Sequence, residues 1–268
     1  MNDIIEGYWD SQKDVWVPFD CSFKFGPQRL DQLKEVLANE WILFFGDSNT
    51  RKLVQELCSI LSLPFIGTSN HYLCTNSTIT ITYRTYWHKT LNIQEAYNET
   101  FDEFMTALRR EVKSDIQIQN PPVRSCPTFV FLSIGSHSLT YVYQEMEPLQ
   151  RQIDTVLPSS LRKERFSLLL ITASNNRHLV RGLKRFAPKQ VNPRIIEKNL
   201  ATIETANLLE PPVPIMDFFS TTFVLAIKQK TQDAVHYFPL AYRSHLVYIL
   251  DFISSRKEKN IPEICIIT

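Results

Sequence analysis

Three side chains have the types and spacing for covalent acyl chemistry: Ser48, Asp233 and His236. Ser48 ends the run Trp41-Ile42-Leu43-Phe44-Phe45-Gly46-Asp47-Ser48, and the other two lie near the C-terminus in Asp233-Ala234-Val235-His236. A serine hydroxyl attacks a carbonyl only when a base takes its proton, and that base needs a third group to hold its ring. An aspartate three residues before a histidine lies on the same side of a turn or of a first helical turn, leaving one ring nitrogen to face a serine. Each half has a plain reading when taken alone. Asp47 or Ser48 is a common kind of helix cap, and Asp233 with His236 is a solvated turn pair. At opposite ends of one α/β domain, they form a two-part signal.

The elements around Ser48 give the signal its physical content. Residues 41 to 46 are rich in large apolar and aromatic types and too few to cross a bilayer, which predicts a fully buried strand. From Ser48 onward Leu53, Val54, Leu57, Cys58 and Leu61 recur at helical spacing, so a helix packs back on the sheet. Ser48 sits at the corner, where the helix start presents unpartnered N–H groups and partial positive charge to any oxyanion formed beside it.

Gly46-Asp47-Ser48-Asn49-Thr50-Arg51 resembles the GDSxxR block of the PC-esterase family, a branch of the SGNH/GDSL-type acyl esterases, and Asp233 to His236 resembles its DxxH block. Gly7-Tyr8-Trp9, Trp16-Val17-Pro18 and Cys21 are similar to the segment that precedes the serine in that family, which includes plant wall-polysaccharide O-acetyltransferases and animal neurexophilin-and-PC-esterase proteins. The likeness runs in order from about residue 7 to 253. It implies a Ser48–His236–Asp233 triad acting on acetylated glycans in the Golgi or secretory lumen or at the cell surface; no metal-ligand pattern or nucleotide-phosphate loop is apparent in the sequence, so no cofactor is expected.

Composition sets the outer bounds. A chain of 268 residues is within reach of one α/β domain and buries about three-quarters of its unfolded surface. A formal net charge of +1 with 21% charged residues gives no basic field for nucleic acid. No apolar run reaches the roughly 20 residues of a membrane span. Met1 to Glu6 has neither the basic start nor the apolar core of a signal peptide. Two expectations stay open: an anchor precedes this sequence, or Met1 is the native start and the chain is cytoplasmic. The cysteines are Cys21, Cys58, Cys74, Cys126 and Cys265, an odd number with no Cys-x-x-Cys pair that would suggest zinc. Cys58, on the apolar face of the first long helix, reads as a small core residue. Asn76-Ser77-Thr78 and Asn98-Glu99-Thr100 fit the N-glycosylation pattern, which counts only in the secretory pathway. Oligomeric state is silent.

Along the chain, residues 1 to 40 are expected to form an N-terminal arm with a short helix from about 27 to 39. An α/β core covers 41 to 254, and a tail covers 255 to 268. Within the core, 64 to 68 is a loop or short strand, and 79 to 84 alternates as a strand. Phe101, Phe104, Met105, Leu108 and Val112 make a helical stripe. Strands follow near 128–135 and 167–173, helices near 144–157 and 194–209, a last strand at 213–217 and a C-terminal helix near 240–254. The alternation predicts a three-layer α/β/α sandwich with a mainly parallel five-stranded sheet, flavodoxin-like in the manner of SGNH hydrolases. Ligands bind such sheets outside the carboxyl ends of the strands.

The oxyanion of acyl transfer needs donors aimed at it. Candidates are the backbone N–H of Ser48, the N–H of Gly135 or its neighbour, and a side chain from 135 to 138. Many SGNH enzymes place an asparagine in a Gly-x-Asn block there, where this chain reads Gly135-Ser136-His137. His137 substitutes as donor or is a loop histidine bonded to backbone. Gly67 and Asn70 stand in the stretch for the second block, and Asn70 is a candidate for the missing amide. Gly46 and Asp47 belong to the serine corner. Arg51 either faces an anionic intermediate or substrate or pairs with a structural carboxylate. The aromatic run from Tyr83 to His88 suits stacking on sugar rings, or is a core-facing row. The reading is a serine-dependent esterase or O-acetyltransferase acting on acylated carbohydrate or another ester. Two alternatives stand beside it: a glycan- or protein-binding module without turnover, and an intracellular esterase of small esters or lipids.

Overall fold

The strand Glu40–Gly46 (β3) is the middle of the sheet, and all seven of its residues are buried. In the computed structural model, which describes residues 7–10, 15–18, 32–85, 100–118, 127–133, 167–173, 192–208, 212–227 and 236–257, it is covered on both faces. Side chains alternate across a strand, so Ile42 and Phe44 join the larger core while Trp41 joins a second cluster with Phe101, Phe104, Met105 and Leu108. A strand buried on both sides needs the unbroken apolar run the sequence shows.

Before β3 come the antiparallel pair Gly7–Asp10 (β1) and Val15–Pro18 (β2) and the short helix Leu33–Val36 (α1). After it follow the helix Ser48–Ile60 (α2) and the strands Phe65–Gly67 (β4), His71–Thr75 (β5) and Ile79–Thr85 (β6). The helix Phe101–Val112 (α3) then leads to Phe129–Ser133 (β7) and Ser167–Ile171 (β8). The last elements are the helix Asn192–Leu208 (α4), the strand Ile215–Met216 (β9) and the helices Phe218–Ile227 (α5) and Pro239–Lys257 (α6).

The main sheet has the order β4-β5-β6-β3-β7-β8-β9. From β6 to β9 neighbouring strands pair in parallel, and β4 and β5 are antiparallel additions at one edge. The expected five parallel strands are therefore present, extended by a hairpin of which only β4 had a partial signal. From β3 the chain goes first to one edge and later returns to the other side, so the carboxyl end of β3 lies where strand order reverses, the place such sheets bind ligands.

Two core clusters account for the layers. Leu53, Val54 and Leu57 of α2 pack with Leu246, Leu250 and Phe252 of α6 and with Phe44 and Phe131 of the sheet. The Phe44 and Phe131 rings stack at 4.8 Å, a geometry worth about 0.5–1.5 kcal/mol beyond the area buried. On the other face α3 starts at a capping box, with Thr100 accepting from the Glu103 N–H and Glu103 accepting from the Thr100 N–H, and buries the stripe the spacing predicts. Pro239 opens α6, where its missing N–H removes no helical bond. No helix of the described residues is long and apolar enough to cross a membrane.

Two features differ from the sequence reading. Helix α5 was not foreseen, because its sequence FFSTTFVLAI has almost no polar face to reveal a period. Cys58 is buried as expected, but it is disulfide-bonded to Cys74, joining α2 to β5. The helix expected near 144–157 lies outside the described residues.

Candidate active site

Asp47 follows β3 and is the N-cap of α2: its carboxylate accepts from the N–H groups of Asn49 (2.9 Å) and Thr50 (3.2 Å). Its role is thus to terminate the helix, the plain reading of the motif. Ser48 is the first helical residue and is 8% exposed. Because the cap takes the next two amides, the Ser48 N–H is the helix-start donor outside its reach, at the positive end of the helix.

The corner is tightly held. A Cβ on Gly46 would overlap the Thr50 side chain and come 3.0 Å from Ser133 Cβ on β7, so only glycine lets the first helical turn approach the sheet this closely. Underneath, the buried Tyr83 hydroxyl lies 3.0 Å from both the Gly46 and the Asp47 carbonyl oxygens, to which it donates. Burial raises the Tyr83 pKa, so the hydroxyl stays protonated as a donor.

His236 reaches this corner from 188 residues away: its Nε2 is 2.7 Å from Ser48 Oγ. The contact is of the right length for a hydroxyl donating to a neutral imidazole. The half-buried His236 is followed by the fully buried Tyr237, whose N–H donates to the Tyr242 hydroxyl (3.2 Å) on α6; that hydroxyl in turn donates to Asn49 Oδ1 (2.8 Å). Neither Asn49 nor Tyr242 carries a sequence signal, since asparagine in a first helical turn and tyrosine in an apolar helix are both ordinary.

Arg51 lies one turn from Ser48, and its Nη1 donates to the Ser69 carbonyl at 3.3 Å. Among the described residues its guanidinium therefore braces the 68–71 turn rather than pairing with a carboxylate. Gly67, on β4, faces Tyr72, and a Cβ there would meet Tyr72 Cα at 2.8 Å; its glycine serves the hairpin. The Asn70 amide nitrogen donates to Glu111 Oε1 on α3 at 3.3 Å, and Glu111 also accepts from the Thr68 hydroxyl and lies 3.0 Å from His71 Nδ1. In this arrangement the Asn70 amide is turned to Glu111. Burial opposes the Glu111 charge, but hydrogen bonding from Thr68 and the nearness of His71 outweigh it and hold the carboxyl below its usual range. Burial lowers the His71 pKa, against the pull of Glu111. Asp233, Gly135 and His137 lie outside the described residues, as does the aromatic run beyond Thr85. Tyr83 within that run faces the core.

The arrangement brings together a serine hydroxyl, an imidazole positioned to take its proton and a helix start able to receive negative charge. No family model matches the chain, and no curated protein matches it. Among solved structures, a Streptococcus pneumonia protein described as a platelet activating factor matches with a TM-score of 0.50 and 16% identity, covering 85% of this chain and 90% of that one. A lipase/acylhydrolase from Enterococcus faecalis gives a TM-score of 0.43 at 16% identity, covering 84% and 98%. A catalytic mutant of Axe2, an acetylxylan esterase from Geobacillus stearothermophilus, gives 0.40 at 12%, covering 82% and 94%. The first is a likeness of fold alone, and the other two are weaker still. The three-layer α/β class expected from the sequence stands.

Proposed function

We propose that the chain is a serine-dependent acyl esterase or O-acetyltransferase of the PC-esterase kind, acting on acetylated glycans or glycoconjugates. The observation that carries this reading is the 2.7 Å contact between Ser48 Oγ and His236 Nε2 at the start of α2. Ser48 Oγ attacks the acyl carbonyl as its proton passes to His236 Nε2. The oxyanion of the tetrahedral intermediate is held by the Ser48 N–H and the helix start, and losing one such donor typically costs about 2.7–4 kcal/mol of barrier. His236 then protonates the departing alkoxide, leaving acyl-Ser48. Water or an acceptor hydroxyl gives its proton to His236 and attacks the acyl carbon; as the acyl–Ser48 bond breaks, His236 returns that proton to Ser48 Oγ, which restores both groups. Asp233 is assigned the third place by the DxxH resemblance.

The Cys58–Cys74 disulfide favours an oxidising compartment, since such bonds are rare in the cytosol. The disulfide supports a secretory or cell-surface location, in which the Asn76-Ser77-Thr78 sequon, a turn between β5 and β6 with Ser77 and Thr78 exposed, is a glycan acceptor.

Acetyl release from a chromogenic acetyl ester, with and without a glycan acceptor, tests the reading. Ser48→Ala and His236→Ala are expected to lower turnover by about four to six orders of magnitude and to abolish fluorophosphonate labelling. Folded wild-type protein no more active than Ser48→Ala would sink it and favour a glycan-binding module.

A further inference from the structure

The residue after the candidate nucleophile and the residue after the candidate base are joined by one buried hydroxyl. Tyr242 Oη donates to Asn49 Oδ1 at 2.8 Å and accepts from the Tyr237 N–H at 3.2 Å. Tyr242 is 1% exposed and Asn49 2%. Its position in the fold is specific: Asn49 is in the first turn of α2, Tyr237 is in the segment that brings His236 in, and Tyr242 is in the first turns of α6.

We propose that Tyr242 is a positioning residue that sets the Ser48–His236 separation. The proposal rests on the acyl-transfer reading for its kinetic consequence, but its geometric content stands apart from it. A hydrogen-bonded pair 188 residues apart in sequence depends on the placement of two separate segments. A side chain bonded to both neighbours of the pair transmits the position of one segment to the other directly. Tyrosine suits this task because its hydroxyl donates once and accepts once at the end of a rigid ring. The ring is held by packing: it lies 6.2 Å from the Phe218 ring at the start of α5. A buried hydroxyl engaged at both ends leaves little freedom for the separation to vary, and a misplacement of about 1 Å at reacting atoms costs on the order of a hundredfold in rate.

A second tie between α2 and α6 supplies the control. Arg243, next to Tyr242, pairs with Glu56 at 2.6 Å, about two turns along α2 from Ser48. Tyr242→Phe removes both hydrogen bonds and keeps the ring. Glu56→Ala loosens the same pair of helices away from the corner. In full-length protein, kcat of Tyr242→Phe on a chromogenic acetyl ester is expected to fall about ten- to a hundredfold with KM nearly unchanged, while Glu56→Ala lowers thermal stability and leaves kcat at the wild-type value. Asn49→Ala approaches the bridge from its other end and is expected to lower kcat similarly. The 13Cε1–1H resonance of His236, assigned by its loss in His236→Gln, reports the geometry without turnover. It is expected to move in Tyr242→Phe toward its position in Ser48→Ala and to stay put in Glu56→Ala. Wild-type kcat, or an unmoved His236 resonance, in folded Tyr242→Phe overturns the proposal. Wild-type protein no more active than Ser48→Ala sinks the acyl-transfer reading instead, and the resonance still decides the bridge.

Discussion

Among the described residues, two similar corners stand out. At the first, β3 is followed by Asp47, whose carboxylate caps α2, and the hydroxyl at the helix start, that of Ser48, meets His236 Nε2 at 2.7 Å. At the second, β9 is followed by Asp217, which accepts from the Phe219 and Ser220 N–H groups at 3.1 Å and so caps α5; one turn in, the Thr221 hydroxyl meets His245 Nε2 at 2.6 Å. Local chemistry is nearly identical, but the surroundings are not. His245 is only 3% exposed, its Nδ1 donates to the Ala241 carbonyl at 2.7 Å, and the Phe218 ring stands edge-on 4.1 Å away. Burial pushes its pKa down to about 4. Such an imidazole resists the positive charge that a general base must accept, so the second pair is a structural bond. His236 is half-buried, and its serine precedes the cap-bound amides at the carboxyl end of the central strand. A hydroxyl–imidazole contact alone therefore says little about catalysis; exposure of the imidazole and a nearby oxyanion donor distinguish the two.

The sharpest way to break this comparison is to remove each hydroxyl in turn. Ser48→Ala is expected to lower acetyl-ester turnover by about four to six orders of magnitude, while Thr221→Val lowers stability and leaves kcat unchanged. Equal losses at both corners would refute the division of roles. The Tyr242→Phe effect comes next in size and concerns only the first corner.

The first corner's helix is also covalently pinned. The disulfide closes a loop with a sequence separation of 16, and a loop of about that size corresponds to roughly 3 kcal/mol. Denaturant unfolding of the Cys58→Ser/Cys74→Ser variant should show a loss of this order, with kcat retained where the variant is folded, because Asp47, Tyr83 and Tyr242 hold the corner separately.

The second corner should reveal itself through pH. His245 takes a proton at about pH 6.5 when unfolded but only near pH 4 when folded, so the unfolded state binds more protons between these values. Its contribution is complete above 6.5 and declines as pH falls toward 4, by roughly 3 kcal/mol in all. The stability advantage of wild type over His245→Gln, measured by urea unfolding, should shrink across that window; a constant difference would contradict the buried neutral imidazole.

The smallest effect concerns the caps. Asp47→Ala and Asp217→Ala should each cost about 0.5–2 kcal/mol, but only Asp47→Ala should also depress kcat, since it disturbs the helix start beside Ser48.

Much of the fold was legible because it is local. The uniform apolar run of β3 meets burial on two faces, the α3 stripe meets one-sided packing, and the alternation of strands with helices yields a parallel sheet. Signals failed where periodicity was missing: α5, with its three polar residues side by side, shows no face, and β5 is too short and mixed to stand out beside β6. At the site, Ser48 and His236 were singled out by motif, whereas Tyr242, Asn49 and Glu111 were not, since their roles consist of partners distant in sequence. Asn70 looked like a spare amide until α3 brought Glu111 against it.

By itself, the sequence determined most of the strands and helices, the faces that the periodic ones bury and that a serine stands at a strand-to-helix corner, because these follow from side-chain period and helix-end chemistry within a few residues. Only the tertiary structure decided that His236 Nε2 stands 2.7 Å from that serine's hydroxyl, that Cys58 meets Cys74 and that one tyrosine hydroxyl ties both sides of the corner. Such contacts join segments far apart along the chain, and they are fixed by the packing of the sheet and helices together, which no local pattern records.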